Sequence, residues 1–126
     1  MSDITNNNGI VNTGLKSQTV DFQGHAVLNV SGEIDAYSAP QFRQAVMEIL
    51  DKNDHYLIVD MHNVRYMDSS GFAILLSAMK RISPTGGTVH LVGCTPTIDR
   101  LLKITKLSSI MAIHQDIDDA VQALSA

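Results

Sequence analysis

Apolar and polar positions alternate with changing period along the 126-residue chain, and the changes mark its elements. The first 17 residues carry little apolar pattern. They are rich in Asn, Ser, Thr and Gly, with Asn6-Asn7-Asn8 in series, and predict a loose arm over 1–17 ahead of one domain over 18–126. Residues 18–22 and 25–31 are β-prone and are separated by Gln23-Gly24, a two-residue link suited to a hairpin. Helical spacing follows. Ser38 stands where an N-cap belongs, Pro40 falls in the first turn, and Phe42, Val46, Ile49 and Leu50 form one apolar face. "YLIVDM", residues 56–61, is a continuous apolar run, the mark of a strand buried on both faces.

The clearest helical pattern covers residues 70–82, with Phe72, Leu75, Leu76, Met79 and Ile82 on one stripe. A turn of about 100° per residue puts Ser70, Ile74, Ser77 and Arg81 opposite that stripe. Ile74 is the apolar member of this outer face and is expected to be exposed as a partner contact. Residues 83–87 break the helix, "TVHLV" at 88–92 is a further strand, and Thr95-Pro96-Thr97 opens a helix with Ile98, Leu101 and Leu102 inward. "IMAI", residues 110–113, makes a short last strand, and "DIDDAVQAL" a last helix with acids at its start. The order β-β-α-β-α-β-α-β-α predicts an α/β fold, in which an opening β-hairpin leads into alternating strands and helices forming a mixed sheet with helices packed on it.

Composition narrows the function. A net charge of −4 disfavours nucleic acid and anionic membranes as partners. Arg100, Lys103 and Lys106 recur every third residue and read as a solvated helix face. The single cysteine, Cys94, follows an apolar run and reads as a small core residue; with no disulfide available within the chain, a reducing compartment fits. No basic-then-apolar leader is visible at the start, and no apolar run approaches the ~20 residues needed to span a bilayer. The chain is expected to be cytoplasmic and, lacking an obvious self-complementary patch, monomeric.

Chemistry concentrates at Asp68-Ser69-Ser70-Gly71, between a strand and the strongest helix. Loops after the carboxyl ends of strands form the functional rim of such sheets, and free N–H groups at a helix start attract anions. A carboxylate and two serines are also plain capping chemistry, so the motif alone leaves cap, nucleophile, anion-binding turn and phosphorylation site open. Catalysis is poorly supported. No G-x-S-x-G frame is present, and none of His25, His55, His62, His90 and His114 has metal or triad spacing, although His62 is near enough in sequence to Ser69 to be considered with it. Dinucleotide and P-loop fingerprints are absent.

Three segments carry a resemblance over most of the chain: "LNVSGEIDAYSAP", "YLIVDMHNVRYMDSSGFAILL" and "GGTVHLVGCTPTIDRLLKITKL". In this order they resemble the STAS domain family, specifically the bacterial anti-sigma factor antagonists. The resemblance implies a non-enzymatic binding module. Its unphosphorylated form binds an anti-sigma factor serine kinase, which then frees its sigma factor; phosphorylation blocks binding, and a serine phosphatase restores it. The position matching the family's phosphorylated hydroxyl is Ser69, with Ser70 ranked second. Asp35, in the segment matching G-E-[LI]-D, is implied to lie near the partner surface, together with Asp68, Ser69, Ser70 and Gly71. No cofactor belongs to this chain, because ATP and Mg²⁺ come with the kinase. The family often has Leu-Gly where this chain has Phe72-Ala73, which bears on helix packing or partner choice. Alternatives are a STAS subunit serving a stressosome or a lipid-transport ATPase, and a small nucleotide- or anion-binding domain.

Overall fold

The computed structural model describes residues 13–125. Its elements are β1 (Lys16–Phe22), β2 (His25–Ile34), α1 (Ala39–Lys52), β3 (Tyr56–Met67), α2 (Ser69–Ile82), β4 (Thr88–Val92), α3 (Pro96–Ile104), β5 (Ala112–His114) and α4 (Ile117–Ser125). The five strands lie in sequence order, with β1 antiparallel to β2 and all later pairs parallel. The α/β fold read from the sequence is therefore the observed one. Gln23 and Gly24 turn the opening hairpin with both residues at positive φ, 53° and 85°, and pair Phe22 with His25.

Strand alternation sorts the apolar residues to two faces. Leu28, Val30, Leu57, Val59 and Leu91 join the large core beneath α1, α2 and α3. Val27, Ile58 and Val92 point the other way and pack with Ala120 of α4. Leu57, Ile58 and Val59 are all fully buried, so β3 is covered on both faces as its apolar run predicts.

Several boundaries differ from expectation. Most of the arm expected over 1–17 lies outside the described residues, but Lys16 and Ser17 are already paired in β1. Leu15 is buried, and Gln41 of α1 donates to its carbonyl at 2.8 Å. One apolar residue in a polar stretch suffices to anchor that segment. The last strand is shorter and later than "IMAI": a 3₁₀ turn over Leu107–Ser109 leaves Ile110 exposed and starts β5 at Ala112. Ser38 occupies the N-cap position of α1 yet makes no capping bond.

His90 lies buried in β4 with its ring stacked on His114 of β5, Nδ1 to Nε2 at 3.0 Å. Burial, with His114 adding to it, lowers the His90 pKa from 6.5 to about 4. The unfolded chain thus takes up a proton here as pH falls through 6.5, while the native chain resists until about 4. Stability is expected to fall across that window by about 3 kcal/mol and to level off below it. Urea unfolding near pH 7 and again near pH 4 checks this, and His90→Leu should lose less stability between the two conditions than the wild type.

Candidate functional site

The site is built where β2 and β3 end side by side. Ile34 and Met67 are in register, and the Asp68 N–H donates to the Ile34 carbonyl at 3.0 Å, which ties the two exits together. After β2 the chain turns into α1 through Asp35-Ala36-Tyr37-Ser38. After β3 it enters α2 within one residue.

Asp68 caps α2. Its backbone is extended, and its carboxylate accepts the Ser70 N–H at 2.9 Å and the Ser70 hydroxyl. The Ser70 hydroxyl bond holds the Asp68 carboxyl below its usual range; burial opposes this, and the N–H groups of Ser70, Ala36 and Gly71 add to the lowering. One carboxylate therefore serves the helix start and the neighbouring loop together.

The two serines are physically unlike. Ser70 is half-buried and gives its hydroxyl to Asp68. Ser69 is exposed at the first position of α2, and its hydroxyl bonds to no described residue. Gly71 explains how the turn seats. A Cβ at this position would fall 2.5 Å from Met67 Cγ and 2.8 Å from Ile34 Cγ2, so only a residue without a side chain lets the helix sit this close to the strand ends.

That seating fixes the phase of α2 and overturns one expectation. The inward stripe is Gly71, Ile74, Leu75, Ala78 and Ile82. Ile74 is 2 % exposed and belongs to the core; it is no surface contact. Phe72 and Met79, expected at the centre of the stripe, lean to its side and are half-buried. Ser69, Ala73 and Lys80 face outward, and Arg81 reaches Asp51 of α1 at 2.8 Å. Helical spacing alone does not choose between the stripes: the small residues Gly71 and Ala78 face inward, and Gly71 marks the close approach of the helix to the strand ends.

Asp35 stands beside this start but is largely occupied. Its Oδ1 accepts the N–H groups of Tyr37 and Ser38, each at 3.0 Å, and so holds the turn that leads into α1. The Ser38 hydroxyl is buried, donates to the Glu33 carbonyl at 2.8 Å and accepts from the Asp35 N–H at 3.0 Å. Ala36 and Ser38 were invisible as site-builders in the sequence, because one acts through its backbone and the other looks like a simple cap.

The structure does not bring His62 to Ser69. Seven positions apart along an extended strand, they are about 20 Å distant. The His62 ring lies over Gly93, with Nδ1 2.6 Å from Asp60. It lines a shallow cleft with Cys94, Lys103 and His114, well away from the serines. Burial, with Asp99 adding to it, pushes the Cys94 thiol up to about 12, which disfavours the reactive thiolate. Among the described residues no group of three or more His, Cys, Asp or Glu is placed to hold a metal ion. No helix among them is long and apolar enough to cross a membrane.

Comparison with known proteins gives a consistent picture. The STAS domain profile matches residues 16–120. The anti-sigma-B factor antagonist of Bacillus subtilis is 30 % identical over 112 residues, covering 89 % of this chain and 98 % of that protein. The crystal structure of an anti-sigma factor antagonist from Mycobacterium paratuberculosis superposes with a TM-score of 0.81 at 27 % identity, covering 89 % of this chain and 95 % of that one. The Bacillus cell fate determinant SpoIIAA in its phosphorylated form shares the fold, with a TM-score of 0.66 at 20 % identity over 86 % of this chain and 99 % of that one.

Two substitutions probe the site's construction. Gly71→Ala should destabilise the protein by about 1–3 kcal/mol, because Met67 and Ile34 must move to admit the methyl group. Asp68→Ala should cost about 0.5–2 kcal/mol through the lost cap. Because the native pKa of Asp68 is lowered, its contribution is present above the ordinary carboxylate value of 3.8 and lost as pH falls through the lower native value. Chemical denaturation of both variants near neutrality, and of the second again in acid, measures these effects.

Proposed function

The chain belongs to the STAS domain family, and from that premise we propose that it is an anti-sigma factor antagonist switched at Ser69. The unmodified chain binds an anti-sigma factor serine kinase and causes release of its sigma factor. Transfer of phosphate to Ser69 ends that binding, and a serine phosphatase resets it. The observation that carries this reading is the difference between the two serines: Ser69 offers an exposed, uncommitted hydroxyl at the start of a 14-residue helix, whereas Ser70 is spent on the cap.

The chain's part in the transfer is that of a substrate. ATP, Mg²⁺ and the base that accepts the hydroxyl proton come from the kinase. Ser69 presents its hydroxyl on a fixed turn, with Asp35, Asp68, Ser70 and Gly71 framing it. The phosphate adds about −1.5 to −2 charge. The amino end of α2 favours that charge and the Asp68 carboxylate opposes it, although Ser70 and three backbone N–H groups already offset part of the Asp68 charge. The fold therefore accommodates the modification, while a partner surface fitted to a neutral serine does not. A loss of about 3 kcal/mol at the interface lowers affinity more than a hundredfold, enough for a switch.

Incubation with the anti-sigma kinases encoded in the same genome, with ATP and Mg²⁺, followed by mass spectrometry, tests the reading. Phosphate should appear on Ser69 and vanish in Ser69→Ala, while Ser69→Asp should weaken kinase binding at least about tenfold. Phosphate on another residue, or no binding to any such kinase, would sink it. Genes beside this one offer a second check: a kinase and sigma factor agree with the proposal, whereas a transporter operon or stressosome partners would redirect it.

A further inference from the structure

Two polar side chains are buried among the described residues, His90 and Ser38. His90 has His114 as its partner. Ser38, 1 % exposed, forms no capping bond for α1, so its burial serves something other than the start of that helix. A buried hydroxyl needs partners, and both of those it finds lie in the chain leaving β2: it donates to the Glu33 carbonyl and accepts from the Asp35 N–H. With the bonds from the Ser38 N–H to Asp35 Oδ1, at 3.0 Å, and from the Ala39 N–H to the Asp35 carbonyl, at 2.8 Å, they close a tight turn over residues 35–38. Ala36 sits inside that closed turn. Its N–H is delivered to the Asp68 carboxylate, while the Asp68 N–H returns a bond to the Ile34 carbonyl. The two strand exits are thus tied by one bond in each direction, and Ser38 holds one side of the tie.

The tie bears on the choice between two hydroxyls. Ser69 and Ser70 are neighbours, with Cα atoms about 3.8 Å apart, so a kinase that reaches one reaches the other. Asp68 separates them. Its carboxylate draws the half-buried Ser70 hydroxyl to itself and leaves Ser69 exposed. A phosphate on Ser70 would also stand against that carboxylate, like charge on like. Both effects last only while the carboxylate keeps its place, and the Ala36 N–H is the bond that reaches it from the neighbouring turn.

We propose that Ser38 is a positioning residue for the phosphate transfer: through the closed turn and the Ala36 N–H it fixes the Asp68 carboxylate, and so directs phosphate to Ser69 and away from Ser70. The inference rests on the switch proposed above and adds what selects the acceptor. In the transfer the serine oxygen bonds the γ-phosphorus of ATP, the bond from that phosphorus to the ADP oxygen breaks, and the hydroxyl proton passes to the kinase's base. Ser38 touches none of these atoms. It acts on the direction in which each acceptor oxygen points. Without its hydroxyl, the Glu33 carbonyl and the Asp35 N–H lose their buried partner and the turn loosens. The Ala36 N–H then no longer meets Asp68 in one fixed pose. The Ser70 hydroxyl is released for part of the time, and Ser69 is presented less squarely to the kinase.

Two measurements on the full chain test this, both made well below the lowest melting temperature so that every variant is folded. On the chain alone, amide hydrogen exchange followed by NMR should show the Ala36 N–H exchanging about tenfold faster or more in Ser38→Ala. With the kinase, ATP and Mg²⁺, the Ser38→Ala chain should take up phosphate about tenfold more slowly. Fragmentation mass spectrometry should find a measurable share of that phosphate on Ser70, where the wild type carries none. Ser38→Thr keeps the hydroxyl and should match the wild type in both measurements. Val46→Ala, on the buried face of α1, lowers the melting temperature without touching the turn; it should keep the Ala36 exchange rate and place all of its phosphate on Ser69. Unchanged exchange at Ala36 in Ser38→Ala, or phosphate on Ser69 alone at the wild-type rate, would overturn the positioning role and leave the switch standing. A wild-type chain that takes no phosphate from the kinase would overturn both.

Discussion

The close approach of the first turn of α2 to the ends of β2 and β3 is the constraint on which the rest of the site depends. It requires the absence of a side chain at Gly71, against Met67 and Ile34. From that contact follows the phase of the helix, with Ile74, Leu75, Ala78 and Ile82 turned into the core. From the phase follows the fate of each serine. Ser70 swings back to the Asp68 carboxylate, and Ser69 is left outside. The bond from the Asp68 N–H to Ile34 carries the constraint across to the neighbouring loop.

Asp35 and Asp68 gain a meaning that differs from simple surface acids. Each holds backbone N–H groups of the turn in which it sits, and Asp68 also reaches the other turn through Ala36. These bonds fix both carboxylates within their turns, so they stand beside the proposed phosphate position as parts of the scaffold. Replacing either one changes the shape of the surface as well as its charge, so a binding defect in such a variant reports on both.

Much of this was legible in the sequence because the relevant signals are strong and local. The apolar run at 56–61 and the Gln23-Gly24 link fixed β3 and the hairpin, and Thr95 caps α3 as its type and position suggest. The serine motif was legible as a helix start. The orientation of α2 was not. Periodicity gives a stripe, but several stripes fit a helix as apolar as this one, and the choice among them was made by a tertiary contact at Gly71. Ile74 was misplaced for that reason. Ser38 was misread because a hydroxyl at a helix start can serve the backbone of the preceding strand instead of its own helix. The exposure of Tyr66 on β3 depends on how much of the sheet is covered, a property of three-dimensional packing with no counterpart in local spacing.

The commitment of the Ser70 hydroxyl to Asp68 has one more consequence. Because cap and proposed acceptor are separate residues, adding or removing phosphate on Ser69 leaves the helix start with its own bonds intact. On the proposed function the marked and unmarked proteins would share one scaffold, and the mark would be legible only to something that touches it. On the same reading such a molecule would work as a reusable token, its turnover between states paced by the enzymes that write and erase the mark, without a refolding step of its own.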